Sequence, residues 1–491
     1  MAGLDARRYA RPIPAIIRPA SLLHPASAVR YATFGLFWRA GNALGSPLIG
    51  QALYALTQAT LLAAGCALLL CYVRKIGSPR WLVGLGLAYL ATGYVVVGAT
   101  TTMGKDSLHT VFYLPLAVLF VEACLTRGAV LARRPVALAF VALLFATIVF
   151  KRTALVIVLC AGCCLLAVCT PKHARRRAFV CLAAAIVLAQ GVWVPLSAAV
   201  THANQSPGRE VWGLVTQPVV RLAHDEPDAI AKDQRQRLDA IMDLDRAAAD
   251  INPHRTDETF RTLHENPGPT AAQRFAALRT WAQLGLAHPA EYVKAYAGMT
   301  RGWWDPRVNF AYPTDSDYLF TPGYLRQWAS FLPESAWKGV SDGDADTVAA
   351  ERLSAIERDL APLMGASDRP QWQKKLLQAI HRWVRGDRRP SGQPSGRADS
   401  ADRTAAPTAT RKGNPLTSMA LYVTWIPLAI GLALVVRPAR RRCGPALAAY
   451  GLLLFTVLSL YASPEALFWY PIPVFFALPL FAVLPLTFRE R

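Results

Sequence analysis

Charged residues are scarce in this sequence. Asp, Glu, Lys and Arg make up only 17% of its 491 residues, whereas hydrophobic residues make up 53%. A soluble chain of this size usually carries about a quarter charged residues. With a mean hydropathy of +0.25, this shortage excludes an all-soluble enzyme, a fibrous protein and a small secreted domain. It indicates an integral membrane protein.

Acidic residues are almost absent outside one segment. Residues 201–414 hold 27 of the 32 acidic residues and 28 of the 53 basic ones, so the segment is nearly neutral. The net charge of +21 therefore lies beside the apolar runs. Basic residues there are typical of loops that flank membrane helices. We expect the lipid bilayer as a partner and no nucleic acid.

Residues 201–414 also lack cysteine, which excludes a disulfide framework in that segment. All nine cysteines lie in apolar runs or at their edges. In a spanning helix, cysteine behaves as a small apolar residue. We prefer this interpretation to metal binding for Cys160, Cys163 and Cys164, because no histidine or second cysteine pair stands nearby.

Motifs of soluble catalysis are absent too. There is no Walker loop, no G-x-S-x-G and no H-E-x-x-H, and the histidines show no ligand spacing. Asp-x-Asp pairs bind divalent metal in some glycosyltransferases, but about two are expected by chance in a segment so rich in aspartate. A divalent metal cofactor is thus left open, with no motif that supports it. The pairs are Asp243/Asp245, Asp315/Asp317 and Asp342/Asp344/Asp346.

Long apolar stretches dominate the rest of the chain. A membrane helix needs about 20 apolar residues. The stretch 135–171 would be about 55 Å long as one helix, so we expect two helices that turn at Lys151-Arg152. The prediction is an all-α integral membrane protein, a transmembrane bundle of about nine spans. The stretches are 47–73, 81–102, 107–125, 135–150, 153–171, 179–200, 415–436 and 444–487, the last holding two spans.

The short loops alternate in basic charge along the chain. Loops rich in Lys and Arg follow residues 73, 125, 171 and 436, whereas the loops at Lys105, Lys151 and Glu465 carry less. Because basic loops face the cytoplasm, residues 201–414 should lie outside a cytoplasmic (inner) membrane. Residues 1–46 would then also be external, although they are basic. We expect either an interfacial segment there or a span upstream of it.

The polar segment divides in two. Residues 201–385 contain mixed polar and apolar patterns at 226–247, 270–298, 346–361 and 370–384, which predict a mostly helical extracytoplasmic domain between the sixth and seventh spans. Within 370–384, the pattern suits either a membrane-surface helix or a core-facing one. Residues 386–414 are nearly empty of large apolar groups and predict a flexible tether to the C-terminal helices at 415–491.

Two sparse loops place cations on the proposed outer face. Lys105 precedes the third span, and Lys151 and Arg152 form the turn between the fourth and fifth. Ammonium and guanidinium groups pair with phosphate oxygens, so these three predict a site for a lipid-linked phosphate. The alternative is contact with lipid headgroups by snorkelling side chains. Asp106 is a weak catalytic candidate, because capping of the following helix would explain it equally well.

The chain resembles poorly characterised bacterial membrane proteins whose layout is similar to the GT-C superfamily of polyprenyl-phosphate-sugar glycosyltransferases. The motifs that carry the resemblance are short and span residues 24 to 480. The turn at 150–154 and the absence of a first span with a loop carboxylate depart from that family's pattern. The motifs are His24-Pro25, 104–107 (Gly-Lys-Asp-Ser), 150–154 (Phe-Lys-Arg-Thr-Ala), 288–292 (His-Pro-x-x-Tyr), 302–306 (Gly-Trp-Trp-Asp-Pro) and 470–473 (Tyr-Pro-Ile-Pro).

The resemblance implies transfer of a sugar from a polyprenyl-phosphate donor to a cell-envelope acceptor. Lys105, Lys151 and Arg152 would hold the phosphate. Aromatic residues would stack on the sugar, although interfacial anchoring explains them equally well. A non-catalytic assembly partner and a lipid-linked glycan transporter or flippase stay open. The second needs polar residues deep in several spans, and few are present. The stacking candidates are Trp303, Trp304, Tyr312 and Tyr470.

Overall fold

All regular structure in the described part of the chain is helical, with no β-strand among the described residues. A computed structural model describes residues 25–101, 104–201, 209–254, 268–308, 415–436, 444–463 and 466–487, and single positions within 256–264 and 351–379. The all-helical prediction is confirmed for these residues. The proposed tether at 386–414, Tyr312, and the Asp-x-Asp pairs beyond residue 308 lie outside them, as does most of 370–384.

The first group of helices is rich in apolar residues. Two turns are distorted: the chain between α8 and α9 forms a π-helical turn at Val187–Trp193, and a short 3-10 helix covers Ala129–Ala132. The helices are α1 (Pro25–Ala43), α2 (Pro47–Lys75), α3 (Arg80–Thr92), α4 (Tyr94–Thr101), α5 (Lys105–Leu125), α6 (Arg134–Phe150), α7 (Ala154–Val168), α8 (Lys172–Ile186) and α9 (Val194–Thr201).

The second group comprises a polar set and the C-terminal apolar set. A π-helical turn at Leu421–Trp425 leads into α15. The helices are α10 (Arg209–Asp225), α11 (Lys232–Asp239), α12 (Leu244–Ala249), α13 (Ala271–Ala287), α14 (Pro289–Trp304), α15 (Ile426–Val435), α16 (Gly444–Tyr461), α17 (Ile472–Ala482) and α18 (Leu484–Thr487).

Four of the described helices are long and apolar enough to cross a membrane: Leu48–Lys75, Lys105–Leu125, Lys172–Ala199 and Gly444–Tyr461. The predicted span 81–102 is instead two helices, α3 and α4, bent by 54° at Gly93, and would make a fifth. A side chain at Gly93 would meet the carbonyl oxygen of Tyr89 at 2.4 Å, so the bend depends on glycine. Four further apolar helices are shorter: Arg134–Phe150, Ala154–Val168, Leu421–Val435 and Ile472–Leu486.

The stretch 135–171 does form two helices, as predicted. Helix α6 ends at Phe150 and α7 begins at Ala154, so Lys151 and Arg152 lie in the turn. At 17 and 15 residues, these helices are about 25 Å and 22 Å long, less than a hydrocarbon core of about 30 Å. Phe112 of α5 stacks on Phe150 at 4.8 Å and fixes the end of α6 against α5.

Helix α1 packs closely on α2. A three-residue connection turns through Gly45, whose φ of +97° favours glycine. The helices approach so closely that a Cβ at Gly50 would lie 2.2 Å from the carbonyl oxygen of Phe37. Tyr54 of α2 also contacts Phe37 edge to face, with ring centroids 5.4 Å apart. The predicted segment 1–46 therefore contains a helix held against the apolar bundle.

The helices α10 to α14 enclose a second, smaller apolar core. Val219, Val220 and Leu222 of α10 are fully buried against Met242 and Leu244. Asp243 accepts a hydrogen bond from the Arg246 backbone and so begins α12. This core is separate from that of the apolar bundle. The described residues 209–304 thus form a helical unit where the sequence predicted one.

Trp303, at the end of α14, joins this unit to the bundle. Its side chain is 0% exposed, and its indole N–H donates to the carbonyl oxygen of Leu460 at 2.9 Å. The hydroxyl of Thr424 donates to the carbonyl oxygen of Trp303 at 2.6 Å. Trp425 donates to the carbonyl oxygen of Trp304 at 3.0 Å. The end of α14 is therefore bound to the last turn of α16 and to the turn before α15. We call these contacts of Trp303 and Trp304 with Leu460, Thr424 and Trp425 the joint.

Asp305 reinforces this joint immediately after α14. Its buried carboxylate accepts hydrogen bonds from the side chains of Arg301 at 3.1 Å and Arg307 at 3.0 Å. Burial alone would raise the pKa of the Asp305 carboxyl, but the hydrogen bonds from Arg307 and Arg301 outweigh it, so the pKa is lowered. The ionised carboxylate therefore holds the end of α14 in place.

Candidate functional site

Lys105 and Asp106 begin helix α5. The N-cap is Gly104, and no side chain caps the helix. Asp106 lies in the first turn and is only 1% exposed. Capping therefore does not account for it, contrary to the alternative that the sequence left open. The helix dipole favours a negative charge at this position, but burial of a carboxylate still requires a partner.

Lys151 supplies that partner from the turn after α6. Its Nζ lies 2.8 Å from Oδ1 of Asp106, and its side chain is 14% exposed. The same ammonium donates to the carbonyl oxygen of Tyr470 at 3.0 Å. Three parts of the chain that are far apart in sequence therefore meet at one point: the start of α5, the turn between α6 and α7, and the segment just before α17.

The ring of Tyr470 lies beside two of the three predicted cations. Nζ of Lys105 is 5.6 Å from its centroid and Nζ of Lys151 is 6.0 Å from it. Both distances are within the range in which an ammonium is attracted to an aromatic face. We call Lys105, Asp106, Lys151 and Tyr470 the helix-end cluster. Tyr470, predicted to stack on sugar, thus lies at the predicted phosphate site.

Arg152 follows Lys151 in the turn and its residue is exposed. No hydrogen bond or ion pair joins its side chain to another described residue. Its Cα lies about 3.8 Å from that of Lys151 because the two are consecutive. Arg152 is therefore available to a ligand beside the helix-end cluster.

The two predicted tryptophans lie elsewhere. Trp303 is fully buried in the joint between the helical unit and the bundle, so it has no face on which a sugar could stack. That prediction is corrected, and the reason is that its indole fills the bundle core. Trp304 is partly exposed, and its indole N–H donates to the carbonyl oxygen of Ala297 at 3.3 Å. It has not been brought into contact with the helix-end cluster.

Two helix N-termini meet at the helix-end cluster. Lys105 opens α5, while Lys151 and Arg152 immediately precede α7. Neither helix has a side-chain cap. The first N–H groups of a helix and its dipole favour an anion. Together with the positive charges of Lys105, Lys151 and Arg152, this arrangement is chemically suited to hold a phosphate group.

Sequence reasoning missed His109, one turn beyond Asp106. It is buried, and its ring lies 5.7 Å from that of Tyr113. The Tyr113 hydroxyl in turn shares a hydrogen bond of 2.9 Å with Thr456 of α16. Asp106, His109 and Tyr113 are spaced so that they share one side of α5. A search for polar residues at helical spacing within an apolar stretch would have found this face.

The C-terminal end of α5, opposite the helix-end cluster, carries a different set of polar contacts. There Glu122 of α5 accepts a hydrogen bond from Tyr72 and pairs with Lys75, both at 2.8 Å. Nearby, the backbone of Thr170 donates to the carbonyl oxygen of Arg127, which brings two basic loops together. The basic segments after α2 and after α5 and the one at the start of α8 therefore lie at the end of α5 opposite the helix-end cluster.

Among the described residues, no group of three His, Cys, Asp or Glu side chains is arranged to hold a metal ion. The first Asp-x-Asp pair has structural partners. Asp243 caps α12, and Asp245 forms an ion pair with Arg235. The side chains of this pair are therefore committed to the fold of the helical unit.

Residues 27–339 match the protein family described as a family of unknown function (DUF6020), which is well over half of the chain. The chain belongs to this family. No curated protein and no solved structure matches it significantly. The part matched to DUF6020 includes Lys105, Asp106, Lys151 and Arg152, whereas Tyr470 lies beyond it. The family description names no activity.

Proposed function

We propose that this protein is a GT-C-like membrane glycosyltransferase. It would transfer a sugar from a polyprenyl-phosphate donor to a cell-envelope acceptor on the outer face of the cytoplasmic membrane. The observation that carries the proposal is the convergence of Lys105 and Lys151 on the ring of Tyr470. A phosphate at this position would meet two ammonium groups, the guanidinium of Arg152 and two helix N-termini.

The chemistry of the transfer fits such a site. The bond between the sugar and the donor phosphate breaks, a bond between the sugar and the acceptor oxygen forms, and the proton of the acceptor hydroxyl passes to solvent. Negative charge then grows on the departing phosphate. Fixed cations placed where charge develops stabilise the transition state more than the bound substrate. Lys105, Lys151 and Arg152 would supply that stabilisation.

The proposed topology has nine spans, with the helical unit outside the cytoplasm. Its support is the separation of the basic loops from the helix-end cluster at opposite ends of α5. Trp303 attaches the helical unit beside Leu460, at the end of α16 that leads to Tyr470. The helical unit and the proposed phosphate site therefore lie at the same end of the bundle, where an acceptor would be reached.

The polar residues in the apolar helices favour the glycosyltransferase over the transporter alternative. Glu122 is engaged by Tyr72 and Lys75. Gln58 accepts a hydrogen bond from Tyr54 at 2.9 Å. These contacts tie helices together or lie within one helix, whereas a substrate path needs polar groups that line a cavity.

The test is binding of citronellyl phosphate, a short polyprenyl-phosphate analogue, to purified protein. Each charge-assisted contact to phosphate is worth about 1.5–3 kcal/mol, so Lys105→Ala and Arg152→Ala should each weaken binding about 10- to 150-fold. Arg152→Lys keeps the charge and should retain most of the affinity. Unchanged affinity in both alanine variants would refute the phosphate site and favour simple headgroup contact.

Transfer of the sugar is tested separately. Membranes that contain the wild-type protein and a radiolabelled polyprenyl-phosphate sugar should yield a labelled envelope product, and Lys105→Ala should lower its rate. Phosphate binding without any transfer would favour the non-catalytic assembly partner instead.

A further inference from the structure

Neither oxygen of the Asp106 carboxylate accepts a hydrogen bond from a described residue, and only Oδ1 has a described cation in contact with it. Oδ1 lies 2.8 Å from Nζ of Lys151. Oδ2 is equally buried and has no hydrogen-bond partner in the described part of the chain. A buried polar atom left without a partner costs about 1–3 kcal/mol, and more when it is charged. Asp106 is 1% exposed and lies beside the proposed phosphate site, so its unpartnered oxygen indicates a donor that arrives with the ligand.

The neighbouring hydroxyl groups are already committed. Ser107 donates to the carbonyl oxygen of Ala99 at 3.1 Å. Thr110 donates to the backbone carbonyl of Asp106 at 2.7 Å. The ammonium of Lys151 forms an ion pair with Oδ1 and donates a hydrogen bond to the carbonyl oxygen of Tyr470. None of these groups donates a hydrogen bond to Oδ2.

The position of Oδ2 narrows the chemistry of the missing donor. Asp106 is in ion-pair contact with Lys151, one of the proposed phosphate-binding cations. A second anion at Oδ2 would be repelled by the carboxylate, so the phosphate itself cannot satisfy it. The group required there is a neutral donor attached close to a phosphate. A sugar esterified to that phosphate presents hydroxyl groups at this distance.

We infer that Oδ2 of Asp106 accepts a hydrogen bond from a hydroxyl of the donor sugar and so distinguishes a glycosyl phosphate from other phosphate esters. The inference rests on the proposed function, because it assumes a phosphate at Lys105, Lys151 and Arg152. It adds the ligand class for which the site is built: a phosphodiester with a hydroxyl-bearing ring next to the phosphate.

The experiment compares phosphodiesters of equal charge. The probes are the glucosyl, mannosyl and arabinofuranosyl esters of citronellyl phosphate, and citronellyl cyclohexyl phosphate, which carries a ring without hydroxyl groups. A hydrogen bond to a charged group should make at least one glycosyl ester bind about 10-fold or more tightly than the cyclohexyl ester. Equal binding of all four esters to the wild-type protein would overturn the inference.

Asp106→Asn should reduce this preference to a few-fold while binding of the cyclohexyl ester changes little. The matched control is Lys105→Ala, which should weaken all four esters equally and keep the preference. A uniform loss of affinity for all esters in Asp106→Asn would show a purely structural role and would also overturn the inference. If this variant fails to fold, the comparison of the four esters on the wild-type protein still tests whether the site prefers a ring with hydroxyl groups.

The two proposals fail in different ways. If the wild-type protein binds none of the esters and no citronellyl phosphate, the phosphate site itself is wrong. If it binds phosphate esters without regard to the ring hydroxyls, the phosphate site stands and only the role of Asp106 falls.

Discussion

The indole of Trp303 donates its N–H to the carbonyl oxygen of Leu460 across a gap of 157 positions in the sequence, at 2.9 Å. Helices α14 and α16 thereby bind the helical unit to the bundle. Leu460 lies in the last turn of α16, and Tyr470 follows it in the connection between α16 and α17. The joint and the helix-end cluster are therefore neighbours along the chain.

Trp303→Ala should destabilise the protein by about 3–5 kcal/mol, because it removes a large, fully buried side chain and leaves a cavity. Trp303→Phe should cost less, since it keeps most of the apolar contact and loses a hydrogen bond worth about 1 kcal/mol. Thermal unfolding in detergent measures both. The control is Trp304→Ala, at a partly exposed position, which should cost about 1 kcal/mol or less. Equal losses at the two positions would contradict the joint.

Lys151→Met should be strongly destabilising, by about 3 kcal/mol or more, because it leaves the carboxylate of Asp106 buried without its cation. Adding Asp106→Asn should recover much of that loss, since the buried charge is then gone as well. The control pair is Lys75 and Glu122. Lys75 is 62% exposed, so Lys75→Met should cost less than about 1 kcal/mol. Additive losses in the double variant would argue against the buried ion pair.

The joint should depend on pH through Asp305. Its folded pKa is lowered, so its contribution is fully present above the unfolded value of about 3.9 and is lost as the pH falls through the folded pKa. Limited proteolysis of the helical unit between pH 3 and pH 7 should show release of the joint at the acid end. Asp305→Asn should weaken the joint at neutral pH and flatten this component of the profile. An unchanged profile in that variant would refute the role of the carboxylate.

The contact between α1 and α2 should not tolerate a side chain at Gly50. A Cβ there would lie 2.2 Å from a backbone oxygen, so Gly50→Ala must push the helices apart and lower the thermal midpoint. The matched control is Gly84→Ala in α3, where nothing lies within 4 Å of the added carbon. That change should be neutral or stabilising by up to about 1 kcal/mol, because alanine favours a helix over glycine. Similar midpoints for both variants would contradict the close approach.

The proposed sidedness is tested by cysteine labelling in intact cells. In a background without the native cysteines, Leu286→Cys in the helical unit should react with a membrane-impermeant maleimide, because Leu286 is 86% exposed. Arg176→Cys, in the basic N-terminal part of α8, should react only after the cells are broken. The reverse pattern would place the helix-end cluster on the cytoplasmic face and remove the basis for an external transfer reaction.

The sequence by itself determined the helical class and the approximate positions of most apolar helices, although it did not predict α1. Hydropathy is a local property, so the break at Lys151-Arg152 and a separate helical unit between the apolar groups could be predicted from composition. It also made Lys105, Lys151 and Arg152 candidates, because charge beside an apolar run is costly and therefore conspicuous. The bend at Gly93 was missed, since hydropathy does not distinguish a straight helix from a bent one.

Only the tertiary structure decided which residues meet. The sequence left Asp106 open as a weak catalytic candidate or a helix cap, but helix packing brings Lys151 to within 2.8 Å of it and makes it the buried counterion. Trp303 and Tyr470 looked equivalent as aromatic candidates, yet one fills the core and the other faces two ammonium groups. The reason is physical: burial and pairing depend on contacts between segments that are tens to hundreds of residues apart, which no local pattern records.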